Sequence, residues 1–203
     1  MRLFIAINLN EKTKAALLEL RDELRSQSEC GSFTTPDNLH LTLAFLGECD
    51  ARQTGAAKAS MDAVCFEQFG MYIERIGRFG GGGGGGAQSA RNPAKPQVNS
   101  QASDVNERVQ SAEALWWAGI KEDKKLLDLH RDINSKLRDA RFVLDSRRFS
   151  PHITLGRRVV TDAAPRRIEP FGEIVSRIDL MKSERIGGRL TYTPIYTKTA
   201  KSV

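Results

Sequence analysis

Two short segments of the sequence share a pattern that could carry acid–base chemistry. NLHLTL around His40 and SPHITL around His152 each place a histidine and a threonine two positions apart, with apolar residues between and after them. In a β-strand, residues i and i+2 project from the same face. We therefore expect His40 to share a face with Thr42, and His152 to share one with Thr154, each pair about 6 to 7 Å apart along its strand.

If the two strands face each other, two imidazoles and two hydroxyls surround a volume the size of a phosphate. The hydroxyls can donate to non-bridging oxygens. One imidazole can take a proton from an attacking water while the other protonates the leaving oxygen. Histidine suits both tasks because its unperturbed side chain titrates near neutrality. By chance a histidine would be followed by apolar-Thr-apolar about once in 100 times, and two of the three histidines in this chain are.

Metal binding is the alternative use of the same histidines. Zinc held by His40 and His152 would need a third ligand, and none stands at a recognisable spacing. The third histidine, His130, lies in LLDLHRDINSKL on a predicted helix outside both motifs, where we expect a surface or boundary position. The sequence therefore predicts no metal and no cofactor.

Strands and helices are interspersed along the chain that must position these motifs. Strands are predicted at LFIAINL, NLHLTLAFLG, MYIERIGRF, LWWAGI, FSPHITLGR, IVSRIDLMKSE and LTYTPIYTK, and helices over 11–25, 51–66 and 122–140. Because hairpin-like pairs outnumber βαβ-length crossovers, an α+β fold built on antiparallel sheets fits best. In LWWAGI, Trp116 and Trp117 are expected in the core, although alternation turns one of the two toward the opposite face.

Seven consecutive glycines open a polar segment that runs from Gly80 to about Ala112. Such a segment cannot bury enough apolar surface to offset its ordering entropy. A phosphate-binding glycine loop is the more specific alternative, but no Gly-Lys-Ser/Thr follows the glycines. We interpret residues 80–112 as a flexible insertion in a single domain spanning residues 1–203.

The charge distribution favours an anionic substrate. The net charge is +6, and six arginines stand against one acid between Ser146 and Arg167, around His152. A solvated basic loop is the alternative for that run taken alone, whereas a positive field at a histidine suits a phosphate. The three cysteines match neither a disulfide nor a zinc pattern, which predicts free thiols in the cytoplasm. No apolar run approaches the roughly 20 residues of a membrane span, so no membrane partner is expected.

The segments NLHLTLAFLGE and RFSPHITLGR resemble the two signature motifs of the two-histidine phosphoesterase superfamily. More specifically, they resemble its LigT-like branch, the RNA 2′,3′-cyclic phosphodiesterases once described as 2′-5′ RNA ligases. The resemblance extends to RLFIAI, LWWAGI and GGRLTYTPI. It implies two pseudo-symmetric lobes of antiparallel sheet with outer helices, one motif in each lobe, and an active-site cleft between them.

The resemblance also implies a role for each motif residue. His40 would be the general acid that protonates the leaving ribose oxygen, and His152 the general base that activates water. Thr42 and Thr154 would hold phosphate oxygens.

Two further positions follow from the resemblance, an aromatic three residues after the first threonine and an arginine three after the second. They are Phe45 and Arg157, which would hold the base and the phosphate. Strict alternation would turn Phe45 to the core side, so core packing is an equal alternative there. Strict alternation would turn Arg157 to the core side as well, but Arg157 lies at the end of its strand beside Gly156, where side chains need not alternate.

The implied activity is hydrolysis of RNA 2′,3′-cyclic phosphate ends to 2′-phosphomonoesters by a monomeric, cofactor-free enzyme. Two alternatives stay open. The same site could join RNA halves by 2′-5′ ligation, or the chain could be a non-catalytic RNA-binding module that retains a phosphate cleft. Intact histidines and threonines at both motifs argue against the second, because binding alone does not need two titrating groups.

Overall fold

The computed structural model describes residues 1–80 and 113–201, so the proposed insertion lies, apart from Gly80, outside the described residues. Within these two ranges the chain forms nine strands, three α-helices and a short 3-10 helix at Pro36–Asn38. The strands are β1 (Arg2–Asn8), β2 (Ser28–Phe33), β3 (His40–Glu48), β4 (Phe69–Gly80), β5 (Ala114–Ile120), β6 (His152–Thr161), β7 (Arg166–Val175), β8 (Arg177–Ile186) and β9 (Arg189–Thr199). The helices are α1 (Glu11–Ser26), α2 (Ala51–Asp62) and α3 (Lys124–Asp139).

The strands form one sheet in the order β7-β4-β5-β6-β3-β1-β8-β9, with β2 paired to β6. Neighbouring strands of this order run antiparallel, which confirms the predicted α+β class. At its centre, β3 and β6 are joined by the single pair Leu41 and Ile153, which we call the seam pair. The seam pair divides the sheet into two halves, each containing one histidine motif.

The helices cover one face of the sheet and leave the other open. On α3, the four residues Leu126, Leu129, Ile133 and Leu137 are buried, as their helical spacing predicts. They share the main core with Leu41 and Ile153. The polar residues of the two motifs therefore project from the uncovered face. Among the described residues, no helix combines the length and the apolar character needed to cross a membrane.

The elements predicted from the sequence were wrong in three places. The segment 174–184 is not one strand, because β7 ends at Val175 and β8 begins at Arg177. The strand β2 was not predicted, and the helix predicted over 51–66 ends at Asp62. Both β2 and β7 are largely exposed, so neither carries the hydrophobic alternation that reveals a half-buried strand. Pro170 also argues against a strand at β7, because proline lacks a backbone N–H, but it is tolerated there because β7 is an edge strand.

Candidate active site

The seam pair brings the two motifs into direct contact. Continuing its antiparallel register by one residue in each direction sets His40 opposite Thr154 and Thr42 opposite His152. All four side chains are half-buried, whereas both members of the seam pair are fully buried on the opposite face. The structure thus places two imidazoles and two hydroxyls in one cluster on the uncovered face of the sheet.

Each motif histidine is oriented by the backbone two residues before it. The Nδ1 atom of His40 donates to the carbonyl of Asn38 at 2.8 Å, and that of His152 donates to the carbonyl of Ser150 at 2.7 Å. Since a carbonyl can only accept, each Nδ1 carries a proton and each Nε2 is bare in the neutral ring. The Nε2 atom of His40 accepts from the Thr42 hydroxyl at 3.0 Å.

A bulge in β3 determines the position of Phe45. The pairing of β3 with β1 steps from Thr42 to Ala44, so Leu43 has no partner. An unpaired residue shifts the alternation by one position, so side chains after the bulge point to the face opposite to the one that a regular strand would give them. Phe45 is accordingly 61% exposed, and its ring centroid lies 6.0 Å from that of Phe4 on the cleft face. Strict alternation, which would have buried Phe45 in the core, does not hold here.

The second motif contains the same irregularity at the same position. The pairing of β6 with β5 steps from Thr154 to Gly156 and leaves Leu155 without a partner. Arg157 is exposed as a result, three residues after its threonine. Its positive charge lowers the pKa of both His40 and His152, so it acts electrostatically on both motifs.

Both motif histidines are held in the neutral state by their surroundings. Burial lowers the pKa of His40 to about 4, with smaller contributions in the same direction from Arg157 and His152, against the hydrogen bond to Asn38. Burial also lowers the pKa of His152, and Arg157 adds to the effect while the Ser150 carbonyl opposes it. At neutral pH the free site therefore presents two basic Nε2 atoms.

An aromatic group packs around His40. Phe4 lies 4.9 Å from its ring, centroid to centroid, and Tyr192 approaches edge-on at 5.2 Å. Burial raises the pKa of Tyr192. Sequence reasoning missed both residues. The alternation of β1 does place Phe4 opposite in direction to Leu3 and Ile5, but only the strand order reveals which face carries the cleft.

A second aromatic group packs around His152. Phe79 approaches it edge-on at 5.2 Å, and Trp117 lies 6.3 Å away. Trp116 is 1% exposed and belongs to the core, so alternation along β5 turns only Trp117 to the cleft face. Phe79 was not singled out from the sequence.

His130 lies outside this cluster. It stacks on Phe149 with centroids 3.7 Å apart, and its half-buried position confirms the predicted boundary placement. In the described part of the chain, no group of three or more His, Cys, Asp or Glu side chains is arranged to hold a metal ion.

Comparisons with known proteins agree with this architecture. Residues 7–85 match the family described as LigT like Phosphoesterase. An Archaeoglobus fulgidus protein named RNA 2′,3′-cyclic phosphodiesterase is 27% identical over 157 residues, which cover 77% of this chain and 72% of the relative. A Thermotoga maritima protein of the same name is 26% identical over 159 residues, which cover 77% and 70%. In sequence the chain is thus similar to LigT-like phosphoesterases.

The similarity in fold extends well beyond the segment that the family match covers. The apo crystal structure of Escherichia coli LigT superposes with a TM-score of 0.71 at 22% identity, over 99% of this chain and 98% of that one. The E. coli protein has also been solved with 3′-AMP and with ATP. The family match includes the His40 motif but ends before the His152 motif. The second motif is therefore supported by its own pattern and by the register at the seam pair.

Proposed function

We propose that this protein hydrolyses the 2′,3′-cyclic phosphate ends of RNA to 2′-phosphomonoesters. The observation that supports this most directly is the cluster at the seam pair, where two histidines with bare Nε2 atoms meet two threonine hydroxyls. The names of the curated relatives indicate the same activity.

In this mechanism the two histidines divide the proton transfers. The Nε2 atom of His152 takes a proton from water as the water oxygen attacks phosphorus. The bond between phosphorus and the ribose 3′ oxygen breaks, and His40 protonates that oxygen from its own Nε2. Thr42 and Thr154 donate to the non-bridging oxygens, where charge accumulates in the transition state.

The general acid, His40, must be protonated before it can act, although the free site favours its neutral form. His40 is neutral at neutral pH because its pKa is lowered to about 4. A bound cyclic phosphate is an anion, and an anion within a few ångströms favours the imidazolium form. Substrate binding would therefore raise the pKa of His40 and convert it into an acid. The two motifs are nearly symmetric, so the assignment of acid and base rests on the family resemblance.

Arg157 and Phe45 complete the proposed site. The guanidinium of Arg157 can bind phosphate oxygens in a bidentate manner, and its charge would offset that of the substrate. Phe45 is exposed on the cleft face, where its ring can stack on the base of the terminal nucleotide.

Hydrolysis is favoured over the two alternatives. Ligation would use the same groups in reverse, but the relatives are named for hydrolysis and water is abundant. A binding module would not need two titrating groups with oriented rings. We further propose that the enzyme acts as a monomer, because one chain supplies both motifs. A cytoplasmic location is supported by the exposed free thiols of Cys30 and Cys65.

The test replaces each motif histidine by asparagine, which removes Nε2 but retains a donor near the position of Nδ1. H40N and H152N should each lower kcat on an RNA with a 2′,3′-cyclic end by about 10²- to 10⁴-fold, the contribution of one proton transfer. The product of the wild type should carry a 2′-phosphate, as chromatography against 2′- and 3′-phosphate standards would show.

The third histidine provides the matched control. H130N removes an imidazole that lies outside the cluster and should retain the wild-type kcat. A chelator should also leave kcat unchanged, since the proposed chemistry uses side chains alone. Wild-type turnover in H40N or H152N, or loss of activity with chelator, would overturn the proposal.

A further inference from the structure

Four side chains form a surface on the cleft face beyond His152. Trp117 and Phe79 lie nearest to the histidine, and Arg75 and Arg167 continue the surface across β4 to β7. The guanidinium of Arg75 lies 5.6 Å from the Trp117 ring centroid. We call these four residues the His152-side shelf.

The indole of Trp117 occupies space that Gly77 of the neighbouring strand and Gly119 of its own strand leave free. A Cβ atom on Gly77 would lie 2.3 Å from Cη2 of the indole, and one on Gly119 would lie 2.7 Å from its Cζ3. Phe79 adds a second ring 5.2 Å from the indole and is 43% exposed. Flat aromatic surfaces of this kind bind nucleobases by stacking, whatever the base.

The far side of the shelf carries two arginines, one of which, Arg75, also contacts the Trp117 ring. Arg75 and Arg167 are register partners on β4 and β7, and both are exposed. Like charges directly opposite in a sheet repel each other. Among the described residues no salt bridge joins either one to a carboxylate, whereas the adjacent Arg166 pairs with Glu23. An anion bound between the two guanidinium groups would relieve the repulsion.

Aromatic rings followed by an anion site match one nucleotide of an RNA strand. In the proposed mechanism the terminal ribose lies on the His40 side with its base near Phe45, so the shelf is left for a second nucleotide. We propose that the His152-side shelf binds the nucleotide preceding the cyclic end, with its base on Trp117 and Phe79 and its phosphodiester at the two arginines. The inference rests on the proposed function and deepens it, because it makes RNA ends better substrates than free cyclic mononucleotides.

Kinetics on two substrates test the shelf. One is a 2′,3′-cyclic mononucleotide, and the other is a dinucleotide with the same cyclic end. The measured quantity is the ratio of kcat/KM for the dinucleotide to that for the mononucleotide. W117L and F79L should each lower this ratio by roughly 5- to 150-fold, the range covered by stacking of one base. R75Q should lower it as well.

Two variants serve as matched controls for this ratio. W116F alters the neighbouring tryptophan on the core side of the same strand and should retain the wild-type ratio. F45L should weaken both substrates together and also retain the ratio, because both contain the terminal base. A wild-type ratio near one, or an unchanged ratio in both F79L and W117L, would overturn the inference. Should W117L fail to fold, F79L and R75Q decide, since both positions are exposed.

Fluorescence tests the shelf independently of turnover. The chain has two tryptophans, so W116F leaves Trp117 as its only one. A dinucleotide ending in a 2′-phosphate should quench its fluorescence more strongly than a nucleoside 2′-phosphate does, and an equal response would contradict the inference. Absence of turnover on both substrates, combined with stronger quenching by the dinucleotide, would contradict the proposed function but would still support the shelf as a binding site.

Discussion

At the scale of single residues, the chemistry depends on how each imidazole is held. His40 and His152 both donate from Nδ1 to a carbonyl two residues earlier, at 2.8 and 2.7 Å. The donor and the acceptor belong to the same short segment in each case, so the ring orientation is a property of the motif itself. The motif thereby directs Nε2, the atom that would exchange protons in the proposed mechanism, toward the cleft.

Arg157 should control the pH dependence of the enzyme. The kcat/KM profile reports the free enzyme, so its acid limb reflects protonation of the base, His152, and its alkaline limb reflects deprotonation of the acid, His40. Arg157 contributes to the lowered pKa of both histidines. Replacing it by glutamine raises both values, so the base is protonated at higher pH and the acid keeps its proton to higher pH. The whole profile of R157Q should therefore move toward alkaline pH.

Measurement of kcat/KM against pH for wild type, R157Q and R157K would check this. R157Q should also lose activity overall, because the proposed contact with the phosphate is removed. R157K keeps the charge and should keep the positions of both limbs, even if its rate falls. A profile of R157Q that is unshifted or moves toward acid pH would contradict the electrostatic role.

At the scale of elements, the two motif strands share a bulge as well as a sequence pattern. Leu43 in β3 and Leu155 in β6 are both skipped by the partner strand. Each bulge places one unpaired residue directly after the threonine and so shifts the alternation of the following side chains by one position. Phe45 and Arg157 therefore rejoin the face that carries the histidines, which a regular strand would not permit.

The helices on the opposite face contribute stability without touching the cleft. Asp50 caps α2 by accepting from the backbone N–H of Gln53 at 2.7 Å, and the Gln53 side chain accepts from the backbone N–H of Asp50 at 3.0 Å. D50A should lower the free energy of unfolding by about 1 kcal/mol, the usual contribution of such a cap. Because α2 packs against α3 and β9, kcat/KM at 25 °C should not change.

Urea denaturation and a cyclic-phosphate assay on the same preparation would measure both quantities. D50S retains a side-chain acceptor and serves as the control, with stability close to that of the wild type. A D50A protein that is as stable as the wild type, or one that is folded but inactive, would contradict this separation of stability from function.

At the scale of the whole molecule, one joined sheet carries both halves of the site. The three α-helices of the described part pack on one face, so the other face is free to bind substrate. The seam pair joins the two halves at the point where the four polar side chains of the motifs meet. The same arrangement places basic side chains from β4, β6 and β7 along one side of the cleft face.

The segment between β4 and β5 is expected to be dispensable for catalysis. Gly80 and Ala114 are register partners, so the chain enters and leaves the segment at neighbouring positions of a hairpin. An Asn-Gly turn can join such positions. A variant with Asn-Gly in place of residues 81–113 should fold and should hydrolyse a cyclic mononucleotide with the wild-type kcat/KM. Circular dichroism and the same assay would check it, and a folded but inactive variant would show that the segment contributes to the site.

Features that depend on local backbone geometry could be predicted from the sequence. The period of two in a strand placed each histidine with its threonine, and the helical spacing of apolar residues located α3 and its buried face. Asn10, a residue type that favours helix N-caps, directly precedes α1, and its side chain accepts from the Thr13 amide at 2.8 Å. Each of these relations spans only a few residues, so the order of the residues is enough to predict it.

Features that depend on strand pairing between distant segments could not be predicted and emerge from the fold. The bulges that turn Phe45 and Arg157 to the cleft exist because β1 and β5 skip a residue, which alternation within one strand cannot reveal. The lowered pKa of His40 comes mainly from burial, to which Tyr192 from the last strand contributes by packing against its ring. The opposition of Arg75 and Arg167 likewise follows from the register of two strands. Register and burial are set by the packing of the whole sheet, and no local pattern encodes them.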